Sequence, residues 1–165
     1  MTRTSRQLFF GLLAILPSVA GFAADTTDKF LPASNPYARQ LLIDDFRLIK
    51  NRNELGPEVA ALFSEHVPPQ DISNRGELFN PTEGPGNPRA PSRRFVLAGV
   101  SANLCFVLYE VGGIAHYANL LIFAKQNKWR QVAAVTGPMN ENTFDALKES
   151  VKGGRFFEPA GGVHY

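Results

Sequence analysis

The 165-residue sequence is poor in cysteine and has a single one, at position 105. A lone cysteine cannot form an internal disulfide, so the fold must be stabilised by packing alone. Cys105 lies within the apolar segment NLCFVLYEV, which predicts a buried and inert thiol. An intermolecular disulfide or a reactive thiol is the alternative.

The sequence also lacks a surplus of charge. It has 17 Lys and Arg residues against 15 Asp and Glu residues. Two arginines lie in the first 23 residues, which contain no acid, so the remainder carries 15 of each sign. Binding to nucleic acid requires a basic surplus or a dense basic patch. The one concentrated group, Arg89, Arg93 and Arg94, is typical of a solvated edge, and we expect no nucleic-acid partner.

Long apolar runs are scarce, and the longest stands near the start of the chain. It extends from Leu8 to Phe22 behind two arginines, and small residues suit cleavage after Ala20 or Ala23. This pattern predicts a cleaved signal peptide at residues 1–23 and an exported protein, periplasmic or secreted. A membrane anchor is the alternative, but the run is short for the ~20 residues of a span. We expect no stable membrane span after cleavage.

Four predicted strands follow one another between positions 93 and 136: RRFVLAGVS, NLCFVLYEV, IAHYANLLIFA and WRQVAAVT. Gly112-Gly113 predicts a two-residue hairpin turn, because glycine adopts positive φ without strain. This turn places Tyr109 opposite His116 and Cys105 opposite Leu120. Side chains alternate along a strand, and both resulting faces are mostly apolar. We therefore expect both faces to be covered, by helices of the chain or by a partner.

Helix signals stand on both sides of these strands. Asn35-Pro36 predicts a helix start, and the apolar stripe behind it continues to Ile49. Gly56-Pro57 predicts the start of a second helix. Asn142 is predicted to cap a third helix, which ends at Gly153.

The predicted fold class is α+β, with a four-stranded antiparallel meander packed by two N-terminal helices and one C-terminal helix. Residues 35–165 form a single predicted domain, and residues 24–34 form a flexible arm before it. Residues 68–92 are a proline-rich loop, either a mobile linker or a binding loop. Leu78 and Phe79 are the apolar side chains that can anchor this loop.

Three side chains are candidate ligand-binding residues: Tyr109, His116 and Trp129. Tyr109 and His116, opposed across the predicted hairpin, could bind or polarise a small polar ligand. An aromatic pair at a half-buried sheet edge is the structural alternative. The predicted register argues against a nucleophilic pair of Cys105 and His116, because it separates them by ~13 Å along the strand.

We recognise no catalytic, metal or cofactor motif. The three histidines have no ligand spacing: His66, His116 and His164. Gly84–Gly86 and Gly161–Gly162 lack the strand–loop–helix context of phosphate-binding loops. Asp44-Asp45 is the one carboxylate pair, and its side chains diverge by about 100° on a predicted helix. We expect neither a metal nor a cofactor.

Two helices followed by an antiparallel meander resemble the NTF2-like α+β superfamily. The resemblance covers Pro36 to Val135 and includes the segment Asn127-Lys128-Trp129-Arg130 at the entry to the last strand. It implies a sheet wrapped around a pocket beneath the helices, in a family that includes isomerases, dehydratases and non-catalytic binding modules. The chain departs from this pattern in its proline-rich loop and its C-terminal helix, and no catalytic residue carries over.

These features favour a non-enzymatic exported protein that binds a protein partner, for example in an inhibitor or immunity-type role against a secreted enzyme. One alternative is a ligand-binding or enzymatic pocket around Tyr109, His116 and Trp129. A structural component of the cell envelope is another. A closed pocket lined by Tyr109 and His116 would favour the ligand, whereas exposed apolar surface or an exposed sheet edge would favour a protein partner.

Overall fold

The computed structural model of the protein describes residues 29–31, 34–81, 87–139 and 142–158. The signal peptide predicted at residues 1–23 lies outside these ranges, as do most of the predicted arm and His164.

The described residues form three α-helices and eight strands. In chain order they are β1 (Lys29–Phe30), α1 (Pro36–Ile43), β2 (Arg47–Ile49), α2 (Pro57–His66), β3 (Ile72–Ser73), β4 (Arg93–Val100), β5 (Leu104–Val111), β6 (Tyr117–Lys125), β7 (Trp129–Gly137), α3 (Phe144–Lys152) and β8 (Phe157–Glu158). The prediction of a mixed α+β fold with an antiparallel sheet is confirmed.

The sheet is larger than the predicted four-stranded meander. Seven strands follow the order β1-β8-β7-β6-β5-β4-β2, and β3 pairs with β4 in parallel. The predicted meander, β4 to β7, is the centre of this sheet, and its neighbours pair antiparallel. The added strands have only two or three residues each. Such short segments carry no alternating pattern from which a strand could be predicted.

The first helix begins where the sequence indicates but ends early. The Asn35 side chain accepts hydrogen bonds from the backbone N–H groups of Tyr37, at 2.9 Å, and Ala38, at 3.3 Å. The prediction that the helical stripe continues to Ile49 is wrong, because α1 ends at Ile43. Ile49 instead lies in β2, opposite Ala98, and is fully buried there. Pairing with the sheet edge outweighs the helical periodicity of this segment.

The other two helices follow their local signals. α2 begins at Pro57 behind Gly56, as predicted. α3 ends at Gly153, also as predicted, but its N-cap is Thr143 rather than Asn142. The Thr143 hydroxyl accepts a hydrogen bond from the Ala146 N–H at 3.2 Å. No helix in the described part of the chain is long and apolar enough to cross a membrane.

The predicted two-glycine hairpin between β5 and β6 is wrong. Val111 pairs with Tyr117, and Cys105 lies opposite Phe123 rather than Leu120, a shift of three residues. The reason is that the glycine amides bind elsewhere. The Gly112 N–H donates to the Ser92 carbonyl at 2.7 Å, and the Gly113 N–H to the Pro81 carbonyl at 3.3 Å. An odd shift also moves every β6 side chain to the opposite face from the one predicted.

One face of the sheet packs against α1 and α3. Phe106 is central to this core, because its ring stacks on Phe144 at 5.2 Å and meets the edge of Phe46, also at 5.2 Å. The same ring lies against Gly99 on the neighbouring strand, where a Cβ atom would collide with it. The buried members from the four central strands are Val96, Leu97, Leu104, Phe106, Leu108, Ala118, Leu120, Ile122, Ala124 and Val135.

The opposite face packs against α2. Phe63 of this helix meets the Tyr109 ring edge-on at 5.8 Å. The buried members from the central strands are Phe95, Ala98, Cys105, Val107, Tyr109, Leu121 and Phe123. Both faces are thus covered by helices of the chain, the first of the two arrangements that the apolar faces predict. Among the described residues, buried side chains fill the middle of both sheet faces.

Cys105 should be chemically inert in the native protein. It is fully buried, and burial raises the pKa of its thiol to about 12. The thiolate is the reactive form, so alkylation by iodoacetamide near pH ~8 must await opening of the fold. We expect modification at least about a thousandfold slower than in guanidinium-unfolded protein, measured by intact mass. Rapid alkylation of the folded protein would contradict this burial.

Candidate functional site

A group of charged and aromatic side chains lies at the end of the sheet where β5 passes into β6. Arg94 of β4 and Glu110 of β5 are direct register partners. The Arg94 Nε donates to Glu110 Oε1, and the His116 Nε2 lies 3.1 Å from Glu110 Oε2. Each oxygen of one carboxylate therefore holds one nitrogen-bearing side chain. The backbone register fixes the first contact, and the turn before β6 supplies the second.

Burial differs sharply within this group. The side chain of Glu110 is 3% exposed, whereas those of Arg94 and His116 are 35% and 37% exposed. A buried carboxylate is costly unless it is paired and hydrogen-bonded. Arg94 and His116 provide the partners that the buried Glu110 carboxylate needs, and Glu110 in turn fixes the orientation of both side chains. The surface consequently presents a guanidinium and an imidazole in one arrangement.

Phe79 of the proline-rich loop covers the group. The Arg94 Cζ lies 4.6 Å from the centroid of the Phe79 ring, a cation–π distance. The His116 ring centroid lies 6.1 Å from the same ring, at an interplanar angle of 37°. We call Phe79, Arg94, Glu110 and His116 the Glu110 cluster. Phe79 is an anchor of the loop, as the sequence predicts for it.

Asn80 fastens the loop to itself and to the sheet. Its side-chain amide donates to the carbonyls of Asn87, at 2.7 Å, and Ala90, at 2.9 Å. Its backbone N–H donates to the Pro91 carbonyl at 2.9 Å. The backbone at Asn80 packs so closely on Gly112 that a Cβ there would collide with it. The loop segments at residues 80–81 and 90–92 are therefore tied to each other and to the glycines at the end of β5.

The start of the loop is also ordered by hydrogen bonds. The Asn74 side chain accepts from the Arg52 backbone N–H at 2.9 Å, and the Glu77 carboxylate accepts from the Asn74 backbone N–H at 2.6 Å. These bonds from Asn74, first from its backbone and then from its side chain, lower the pKa of Glu77. The loop thus leaves β3 along one defined path towards Phe79.

Two large apolar side chains project beside the Glu110 cluster. Ile114 is 88% exposed and Leu78 is 72% exposed. Leu78 directly precedes Phe79, and Ile114 stands two residues before His116, so both flank the contact between the two rings. We call Leu78, Phe79, Arg94, Ile114 and His116 the turn–loop surface. It combines exposed aliphatic tips with an arginine and an aromatic ring held in place.

The structure separates the three candidate ligand-binding residues. Tyr109 lies opposite Asn119 rather than His116, is 1% exposed, and faces α2. Its hydroxyl accepts a hydrogen bond from the Asn119 side chain at 3.0 Å, and Asn119 in turn accepts from Thr136 at 2.8 Å. The predicted opposition of Tyr109 and His116 is therefore wrong. The hydroxyl of Tyr109 is used inside the core.

Trp129 lies at the other end of the sheet from His116. It pairs with Lys125, the last residue of β6, whereas His116 directly precedes the first. The length of β6 separates these ends by ~26 Å at ~3.3 Å per residue. Tyr109, His116 and Trp129 do not share one site, and their role in ligand binding stays a prediction.

Sequence reasoning missed Arg94 and Glu110 as a pair. An acidic residue inside an otherwise apolar strand is a signal for a buried partnered charge. Identifying the partner required the register of β4 on β5, which shifts at a bulge between Phe95 and Leu97. The described residues contain no group of three or more His, Cys, Asp or Glu side chains that could hold a metal ion.

No family model matches the chain, and neither a curated protein nor a solved structure is detectably similar to it. The resemblance to the NTF2-like superfamily stays a prediction from the sequence pattern.

Replacing Glu110 with glutamine should destabilise the protein. Glu110→Gln keeps the shape of the side chain but removes the charge that Arg94 and His116 share. We expect a loss of about 1–3 kcal/mol in the free energy of unfolding, towards the lower end because both partners keep contact with water. Urea titration followed by the fluorescence of Trp129, the sole tryptophan, measures it.

Glu149→Gln is the matched control for this substitution. Glu149 forms an exposed pair with Lys152 at 4.0 Å, and both side chains are 71% exposed. Its loss should change the free energy of unfolding by less than about 0.5 kcal/mol. Equal effects of the two substitutions would show that Glu110 does not organise its neighbours.

Proposed function

We propose that this protein is an exported, non-enzymatic binding protein that recognises a partner protein through its turn–loop surface. The observation that carries the proposal is the exposure of Ile114 and Leu78 beside the fixed Glu110 cluster. Arginine and aromatic side chains are enriched at protein interfaces, and here they lie beside two exposed apolar side chains. Such a surface suits a partner with an apolar recess.

Pre-organisation supports this proposal. Arg94 is held by Glu110 and by the Phe79 ring, and Asn80 ties down the loop that carries Phe79. Side chains that are already ordered lose little conformational entropy on binding, so more of their contact energy remains as affinity. An inhibitor or immunity-type role against a secreted enzyme is one form that this function can take.

The competing proposal of a ligand pocket around Tyr109, His116 and Trp129 loses its geometric support. The hydroxyl of Tyr109 is engaged in the core, His116 belongs to the Glu110 cluster, and Trp129 lies at the opposite end of the sheet. An imidazole oriented by a carboxylate is an arrangement that enzymes use for proton transfer. Here, however, the Glu110 carboxylate also binds Arg94, and this shared contact favours a role in holding both side chains in place at the surface.

Substitution of Ile114 should weaken partner binding. Ile114→Asp replaces an exposed apolar tip of the turn–loop surface with a charge, and we expect at least about a tenfold loss of affinity. Native mass spectrometry of tagged protein from the exported fraction should show a co-purifying protein with the wild type and not with this variant.

Ile43→Asp is the matched control, since Ile43 is an isoleucine of similar exposure, 80%, at the end of α1. The complex should survive this change. A partner that is retained by Ile114→Asp, or lost equally with both variants, would refute the proposed surface. Recovery of no partner from the exported fraction would count against the proposal as a whole.

Export should remove the first 20 or 23 residues. The pattern of two arginines, an apolar run and small residues supports a cleaved signal. The intact mass of protein recovered outside the cytoplasm should correspond to a start at Gly21 or Ala24. Leu12→Arg, which interrupts the apolar run, should leave full-length protein inside the cell. Full-length wild-type protein in the membrane fraction would instead establish an anchor.

A further inference from the structure

A cleft opens at the end of the sheet opposite the turn–loop surface. Its volume is about 290 Å³, and it lies between the first turn of α2 and the strand ends of β2, β4, β6 and β7. The strand register brings these ends together, because Arg47 pairs with Val100 and Lys125 pairs with Trp129. The cleft is therefore built from four strands and a helix rather than from loops.

Apolar side chains line much of the cleft. Val59, from the first turn of α2, is 3% exposed and belongs to the core between that helix and the sheet. Val100 and Trp129 are partly buried and pack against the same core. Trp129 thus packs against the core and also lines the cleft. A ligand with an apolar body would replace water on this wall.

The charged side chains of the cleft are unbalanced. Arg47 and Lys125 line it from two strands, and Glu58 is the carboxylate among the lining residues. The Lys125 Nζ lies 5.7 Å from the centroid of the Trp129 ring. Among the described residues, neither Arg47 nor Lys125 forms an ion pair with a carboxylate. Two cations against one carboxylate leave the lining with a surplus of positive charge, which favours an anionic group on a ligand.

We propose that this cleft binds a small organic anion with an apolar body of about one ring and a carboxylate. The volume lies at the lower limit of ligand pockets, roughly 300–1,000 Å³, which excludes large cofactors. The apolar wall disfavours an inorganic anion, and the two cations disfavour a neutral ligand. This inference is independent of the proposed partner protein, because the two surfaces occupy opposite ends of β6.

Trp129 fluorescence can be used to measure ligand binding in the cleft. Trp129 is the single tryptophan of the chain and lines the cleft, so a ligand-induced change in tryptophan emission of the folded protein reports on this site. Phenylacetate should produce a saturable change in Trp129 fluorescence, with half-saturation on the order of 1 mM for a ligand of this size. Phenylacetamide, which keeps the ring but not the charge, should bind at least about tenfold more weakly. Acetate should cause no saturable change.

Charge substitutions test the two cations directly. Arg47→Gln and Lys125→Gln should each weaken phenylacetate binding about threefold to tenfold. Lys128→Gln is the control, because Lys128 is exposed in the turn between β6 and β7 and does not line the cleft. Glu58→Gln should tighten binding, and a gain in affinity cannot result from a damaged fold. Equal binding of the acid and the amide, no effect of the arginine and lysine substitutions, or no saturable response would each overturn the proposal.

Discussion

Burial of β5 on both faces is the constraint on which the rest of the structure depends. Every residue of this strand from Leu104 to Glu110 is buried, and the helices pack on both sides of the sheet around it. Because its side chains alternate between two filled cores, β5 tolerates only one register with its neighbours. A shift by one residue would move Glu110 from beside Arg94 into the core beneath α2. The same constraint therefore sets the packing and the position of the one buried acid in the strand.

The central sheet acts as a rigid spacer between two chemically different ends. At one end, the Arg94 guanidinium pairs with the Glu110 carboxylate, and the side chains of Leu78 and Ile114 are exposed nearby. At the other end, Arg47 and Lys125 border an apolar cleft, and neither forms an ion pair with a carboxylate in the described part of the chain. The first arrangement favours a broad surface contact, whereas the second favours a small charged molecule. The two ends of one sheet thus present both arrangements.

Local signals in the sequence predicted local structure well. The cap at Asn35, the start at Pro57 and the stop at Gly153 lie where the sequence indicates, because each depends on residues within one helical turn. The prediction of strand register was wrong, because the register depends on contacts between residues far apart in the sequence. The Gly112 amide bonds to Ser92, and the bulge after Phe95 sets which arginine meets Glu110. The predicted opposition of Tyr109 and His116 was wrong for the same reason. The Glu110 cluster and the cleft each depend on pairing between several strands, which no single segment of the sequence predicts.

The location of the lone thiol has a practical consequence. Cys105 lies between β4 and β6 in the middle of the sheet, with no exposed surface. A cysteine introduced on the exterior would be the sole thiol of the folded protein open to reagents. Spin labels or fluorophores can therefore be attached at either end of the sheet in the natural background. Distances between the turn–loop surface and the cleft become measurable without first altering the core.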